Sequence, residues 1–340
     1  MENMLYLKVP RKDAEKTRRK LMQEGALSRE FGIINRGEFI LLPLSAPPSG
    51  LGEIVELDAE KREARARTLK DELSGALSGP ELDFLTTSFD IVGDIAIVEV
   101  PPELSGKERE IGEALLRVHK NIRTVLKKLG GMEGEFRVRR FALIAGEDRT
   151  ETIYRESGLR MKLDLAKVYF SVRLAHERTR IAGLAGNGES VLVLFAGVGP
   201  FALVIAKRKP KTRVVAVEMN PDAARYLREN IALNRIRNVE AIEGDAKKVR
   251  LPESGFDRVV MPLPKSAHEF LDVAFRAVKD GGTVHLYSIS EGKDPFADPL
   301  RKAREEAEKA GVGIEPRSMR IARPYSPSKV QVAIDLKVKK

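Results

Sequence analysis

The sequence predicts an α/β protein in three parts: a small α/β module, an α+β middle segment and a doubly wound parallel sheet. Three observations carry this reading. From about residue 161 onward, short Val/Ile/Leu runs alternate with amphipathic helical stretches, as strands covered on both faces do. Before that point, strand-like pairs and helical stretches are mixed without alternation. At the start, "MLYLKV", "RKDAEKTRRKLMQEG" and "GIINRGEFILLPL" read as strand, helix and hairpin.

In the first part, the hairpin is expected to turn at Asn35-Arg36-Gly37. The helix sets Lys12, Lys16 and Arg19 or Lys20 about one turn apart, a row suited to phosphates or to plain solvation. "LSAPPSGLGE" (44–53) has the composition of a linker, and the first boundary is set at 58. The second part, 59–160, opens on the charged "DAEKREARARTLKDEL". It contains a strand pair in "FDIVGDIAIVEV" and an amphipathic helix through "GKEREIGEALLRVHKNIRTVLKKLG". In "GEFRVRRFALIAG", period-two alternation puts Arg137 and Arg139 on one face, facing phosphate or carbonyl oxygens or else paired with Glu133 or Glu135. Glu156-Ser157-Gly158 reads as a hairpin turn. The third part, 161–340, ends in two strands with no helix between them, so they should form an antiparallel hairpin at one sheet edge.

Composition bounds the function. The 340 residues are 42% hydrophobic and 32% charged, with no apolar run near the ~20 residues that span a bilayer. The first residues lack the pattern of a signal peptide, so a cytoplasmic protein is expected. There is no Cys, which excludes disulfide and thiolate chemistry, and four scattered His leave no metal-ligand spacing. Sixty Lys and Arg against fifty Asp and Glu leave a net charge of +10, which fits a nucleic-acid partner or a thermophile-like surface rich in both signs.

In "VLVLFAGVGPFALVIA" a buried strand runs into Gly197-Val-Gly199-Pro200 and then a helix, where glycines let a ligand approach backbone and a helix N-terminus offers free N–H groups. The next strand ends at Glu218, placed to accept ribose hydroxyls, or to cap the helix that follows. "EGDAKKV" sets Asp245 where it would hold an adenine amino group, or cap a helix. These positions and the terminal strand hairpin favour S-adenosylmethionine over NAD. Phe195, Met219 and Ala246 flank them and complete the expected cofactor surface.

"FDIVGDIAIV", "GEFRVR", "LAKVYFSVRLAHERTRI", "FAGVGPF", "AVEMNPDAARYLRENIALN" and "MPLPKSAHEFLDVA" together resemble the archaeal tRNA (guanine-N1)-methyltransferases, which modify the guanosine 3′ of the anticodon, position 37. The resemblance covers essentially the whole chain. It implies a Rossmann-like class I S-adenosylmethionine-dependent methyltransferase domain, a middle substrate domain, and an N-terminal module that checks the tertiary fold of the tRNA partner. It further implies Glu177 as the base that removes the N1 proton, Arg137 beside guanine O6, and Tyr169 lining the pocket. Arg139, Arg173, Pro262 and Pro264 are expected to contact substrate. The chemistry asks for such a set, because removing the N1 proton pushes negative charge onto O6. Without the resemblance, Arg173 and Glu177 read as a surface pair at i, i+4. A monomer is expected.

Two positions depart from the family pattern. Pro262 stands where an Asn precedes Leu-Pro at the fourth strand end, and Val193 stands where an Asp precedes the glycine turn. One lost hydrogen bond to a charged group costs ~1.5–3 kcal/mol, enough to weaken an enzyme without abolishing it. The departures keep two other readings open: a wyosine-pathway enzyme transferring an aminocarboxypropyl group, and a tRNA-binding protein without catalysis. An NAD-dependent dehydrogenase accounts for the glycine turn and Glu218 but not for the Arg-rich middle part.

Overall fold

The computed structural model describes residues 2–28, 30–46, 52–59 and 68–340, and the chain divides into two compact units, Met1–Glu72 and Leu73–Lys340. In the first unit, β1 (Glu2–Pro10) is followed by α1 (Ala14–Gln23), β2 (Ile34–Arg36), β3 (Phe39–Pro43) and β4 (Glu53–Ala59). The strands form one antiparallel sheet in the order β2-β3-β1-β4. Leu7, Leu21 and Leu42 fill one side of it, and Tyr6, Phe31 and Leu41 the other.

One expectation is corrected here: the hairpin turns at Gly37-Glu38, while Asn35 and Arg36 stay in β2 opposite Ile40 and Phe39. After the linker comes a further strand, β4, which pairs with β1 from Glu53 to Ala59. Its charged alternate residues, Glu56 and Asp58, mask the strand pattern in the sequence. Part of the expected linker (47–51) and the charged opening of the second part (60–67) lie outside the described residues.

Next come α2 (Leu69–Leu73), α3 (Gly79–Phe84), β5 (Asp90–Val92), β6 (Ile95–Val98), α4 (Glu108–Val118), β7 (Thr124–Glu133) and β8 (Val138–Gly146). The sheet order is β5-β6-β7-β8, with α4 as the crossover between the parallel strands β6 and β7. The long helix expected through "RTVLKKLG" therefore ends at Val118. Val118, Ile122, Val125 and Leu129 imitate helical spacing. The β-branched Thr124 and Val125, both fully buried, instead favour the pleated surface beside β6.

The hairpin β9 (Glu151–Glu156) and β10 (Leu159–Asp164) turns where expected, with Ser157 at φ +51° and Gly158 at φ +73°. Then follow α5 (Ala175–Leu184), β11 (Ser190–Leu194), α6 (Pro200–Arg208), β12 (Arg213–Glu218), α7 (Pro221–Leu233), β13 (Val239–Glu243) and β14 (Phe256–Met261). The chain continues through α8 (Leu271–Ala277), β15 (Val278–Glu291), α9 (Ala297–Lys309), β16 (Gly313–Pro324) and β17 (Lys329–Lys339).

These strands build a seven-stranded sheet in the order β13-β12-β11-β14-β15-β17-β16. The first five are parallel, and β17 inserts antiparallel between β15 and β16, so the terminal hairpin is present and lies at one edge. One face packs Leu271, Phe275 and Ala303 from α8 and α9; the other packs Ile181, Ala182, Leu203 and Ile205 from α5 and α6. The strand order reverses between β11 and β14, which creates a crevice at the strand carboxyl ends. Residue 160 falls inside β10, whose backbone is bound by Asn230 of α7 and by Asn234, the residue that caps its end: Lys162 N–H donates to Asn230 Oδ1 at 2.7 Å and Arg160 N–H to Asn234 Oδ1 at 2.8 Å. Among the described residues, no helix is long and apolar enough to cross a membrane.

Candidate active site

The turn after β11 reverses the chain through left-handed backbone at Phe195 (φ +56°), Gly197 (φ +57°) and Gly199 (φ +93°), and Pro200 opens α6. A Cβ at Gly199 would stand 2.5 Å from Leu227 Cδ1, whereas one at Gly197 would meet only the Tyr169 carbonyl oxygen, at 3.8 Å. Gly199 is thus required by helix packing, and Gly197 leaves an open cradle against the backbone. Val193 is buried in the middle of β11, opposite Ala216 and Val260.

Glu218 closes the cradle from β12. Its Oε2 accepts from Gly197 N–H at 2.7 Å and its Oε1 from Asn220 N–H at 2.8 Å. Burial pushes its carboxyl up, against the pull of these backbone donors. Each carboxylate oxygen keeps further lone-pair capacity for a hydroxyl. The cap of α7 is Asn220, whose Oδ1 accepts from Asp222 and Ala223, so Glu218 is free of that task. Met219 is half-buried beside it. Asp245 Oδ1 accepts from Lys247 N–H at 2.9 Å within a turn, where no helix follows for it to cap, and Ala246 is buried. Phe270, which the sequence reading passed over, stacks edge-on to Phe195 at 4.8 Å and carries Lys247 Nζ 4.8 Å from its ring centroid. The aromatic walls, the open glycine and the carboxylates fit an adenosine bearing a positively charged sulfonium.

A cleft of about 300 Å³ adjoins this turn, lined by Arg137, Arg139, Tyr169, Phe170, Arg173 and Arg323 among others. Arg137 does not alternate with Arg139 within a strand as expected. It is the last residue of the β7–β8 turn, at φ +54°, and its guanidinium lies 5.1 Å from the Tyr169 ring centroid. Its Nε is buried and unpartnered. Arg139 donates to the Gly130 carbonyl at 3.0 Å, and Arg140 pairs with Glu133 at 2.8 Å.

The surface pair between Arg173 and Glu177 is absent: Arg173 precedes α5 and binds Asp90 at 2.8 Å. Glu177 is turned inward, 2% exposed. Tyr287 Oη donates to its Oε2 at 2.8 Å and Arg180 Nε to the same oxygen at 2.9 Å. The Tyr287 ring lies 5.8 Å from that of Phe201, the residue after Pro200, so this carboxylate sits behind the glycine turn. At the end of β14, Pro262 is half-buried, and the buried Pro264 uses its carbonyl to accept from Ile289 N–H at 2.9 Å.

Sequence reasoning missed Tyr287, Arg180, His285 and Asp335, which surround Glu177 from below. A signal exists: His285 and Tyr287 alternate with Val284 and Leu286 in the buried middle of β15, where a polar residue demands a partner.

Comparison with known proteins follows this geometry. Residues 152–315 match the TRM5/TYW2 methyltransferase domain, residues 69–150 the TYW2 N-terminal domain, and residues 7–51 the tRNA methyltransferase 5 N-terminal domain. The tRNA (guanine(37)-N(1))-methyltransferase Trm5b of Pyrococcus abyssi is 44% identical over 336 residues, 98% of this chain and 99% of the relative. Its crystal structure superposes with a TM-score of 0.78 over 99% of this chain and 100% of that one. The structure of aTrm5 with tRNALeu, 33% identical, superposes at 0.74 over 98% and 99% of the two chains. A tRNA(Phe) (4-demethylwyosine(37)-C(7)) aminocarboxypropyltransferase of Methanocaldococcus jannaschii is 35% identical, covering 72% of this chain and 96% of its own. Matched along nearly its whole length, and with the strand order, glycine turn and crevice described above, the chain belongs to the TRM5/TYW2 methyltransferase family.

Proposed function

We propose that this protein is a tRNA (guanine(37)-N1)-methyltransferase, using S-adenosylmethionine to methylate N1 of the guanosine 3′ of the anticodon. The observation that carries the reading is Glu177. It is a buried carboxylate behind the glycine turn, its Oε2 held by two donors, while no hydrogen bond among the described residues reaches Oε1.

Glu177 takes the N1 proton of guanine on Oε1. The negative charge this sends to O6 is met by Arg137, whose guanidinium packs on Tyr169 and keeps a buried, unpartnered Nε for an acceptor. Bound S-adenosylmethionine would supply an electrophilic methyl group to N1, its sulfur keeping the electron pair of the broken carbon–sulfur bond. Glu218, Asp245, Gly197 and Phe195 hold the nucleoside half, with Gly199, Pro200, Met219 and Ala246 shaping the turn around it. Arg139, Arg173 and Pro262 border the base and its neighbouring phosphates, and Pro264, buried with its carbonyl bound to Ile289, backs the strand end beside them. The target base must leave the anticodon-loop stack first, at a cost of a few kcal/mol. Residues 1–58 and 59–160 supply tRNA contacts that offset this cost, the first on the tertiary fold and the second beside the anticodon stem-loop, and the enzyme works as a cytoplasmic monomer. Transfer of an aminocarboxypropyl group is the weaker reading, because the relative with that activity matches only 72% of this chain.

The test is incubation with unmodified tRNA and S-adenosylmethionine, followed by mass analysis of the nucleosides. The expected product is 1-methylguanosine, lost when position 37 is no longer guanosine; an aminocarboxypropyl adduct would move the protein to the other branch. Glu177→Ala and Arg137→Ala are each expected to lose about a hundredfold or more in turnover, with cofactor binding by calorimetry near normal. Unchanged turnover in both variants would overturn these roles.

A further inference from the structure

Below Glu177 runs a continuous buried chain of charged and polar groups that the proposed reaction does not itself use. Arg180, one helical turn on from Glu177, spans from Glu177 Oε2 to Asp335 Oδ2 at 2.6 Å. Asp335 Oδ1 lies 2.6 Å from His285 Nδ1, and His285 Nε2 lies 2.7 Å from Arg258 Nη1. Arg258 ends the chain on Glu189 at 3.0 Å and on the Leu184 carbonyl at 2.9 Å. Arg180 and Arg258 are about a tenth exposed, and Glu177, Asp335, His285 and Tyr287 less than that.

Strand register makes this possible. His285 on β15 stands directly opposite Asp335 on β17, and Tyr287 follows His285 on the same face at period two. Donor chemistry then fixes each proton. Arginine only donates, so His285 Nε2 accepts from Arg258 and the imidazole proton sits on Nδ1, directed at Asp335. Burial lowers the imidazole's affinity for a second proton, which keeps His285 neutral. Burial alone would raise the Asp335 carboxyl, but the bonds from His285 and Arg180 outweigh it and hold the group well below the ordinary range. The sequence of charges is therefore Glu177 negative, Arg180 positive, Asp335 negative, His285 neutral, Arg258 positive, Glu189 negative. Among the described residues Arg320 of β16 also approaches Glu177, with Nη1 4.0 Å from Oε1.

We propose that Tyr287 and Arg180 are positioning residues that clamp Glu177 by Oε2, reserving Oε1 for the substrate proton, and that Asp335 and His285 hold Arg180 in place. The inference rests on Glu177 being the base. Both donors fall on one oxygen, so among the described residues Oε1 is left without a hydrogen bond, with Arg320 4.0 Å away.

The experiment is steady-state kinetics of the full-length protein with tRNA transcript, comparing wild type with Tyr287→Phe, Asp335→Asn and Glu177→Gln. Tyr287→Phe is expected to lower kcat about tenfold, with KM for tRNA and cofactor affinity within about twofold. Asp335→Asn is expected to lower kcat in the same way by less. Kinetics that match wild type, or a loss shared equally by kcat, cofactor binding and melting temperature, would overturn the clamp. If Tyr287→Phe lowers kcat and Asp335→Asn does not, the support assigned to Asp335 falls. Glu177→Gln separates the two levels. If it stays active the base assignment fails; if it is inactive while Tyr287→Phe matches wild type, the clamp alone fails.

Discussion

At the scale of single residues, the two glycines of the cofactor turn make opposite demands that substitution can separate. Gly199 combines φ +93° with a would-be Cβ 2.5 Å from Leu227. Gly199→Ala is therefore expected to destabilise the fold by about 1–3 kcal/mol, visible as a lower denaturation midpoint. Gly197 has φ +57° but free space, its nearest neighbour being the Tyr169 oxygen at 3.8 Å. In Gly197→Ala the new methyl stands where a ligand approaches, so calorimetry should show weakened cofactor binding out of proportion to a small loss of stability. Both glycines are legible in the sequence, because Gly-x-Gly between a buried strand and a helix has few other uses. Glu177 and Arg137 are legible only through resemblance; by spacing alone, Glu177 looks like half of a surface pair. Arg137's left-handed backbone and Asn220's cap are not legible, since each depends on where the chain turns rather than on which residues it contains.

At the scale of elements, alternation was read well where strands are buried on both faces and badly where apolar residues fit two periods. The strands and helices from 190 onward follow the Val/Ile/Leu pattern closely. β7 was hidden inside a helical spacing, and β4 behind its own charges. The β15–β17 pair carries a consequence for stability. His285 binds its second proton less readily folded than unfolded, so below the unfolded value of about 6.5 the unfolded chain holds more protons. The sign is that stability falls as pH drops through that value, and Asp335 adds a further loss at lower pH, below about 3.9, as the unfolded carboxyl takes its proton first. Denaturant titrations at pH 7.5 and 5.5 should show this decline, and His285→Gln, which cannot take the proton, should flatten it. An equal decline in both proteins would place its origin elsewhere.

At the scale of the whole molecule, the net charge of +10 accompanies a tRNA-modifying family, and the affinity it lends should be paid back in salt. A plot of log affinity for tRNA against log salt is expected to fall linearly with a slope of several units, from release of condensed ions; a slope near zero would mean that phosphate contacts contribute little. The parallel sheet and its antiparallel edge were accessible from pattern and composition. The ion-paired interior was not, because its members come from α5, β14, β15 and β17 and meet only after the sheet is assembled. The strand order also sets a timetable for the nascent chain. β17 is made after β16 yet lies inside it, against β15. Arg180 waits 155 positions for Asp335, so until the last strand slots in, a ribosome-bound chain carries the glycine turn and Glu177 without the pairing that seats Arg180. The last strand to leave the ribosome is thus the one that completes the buried ion-paired chain, and a chain cut before Lys329 leaves Arg180 without Asp335.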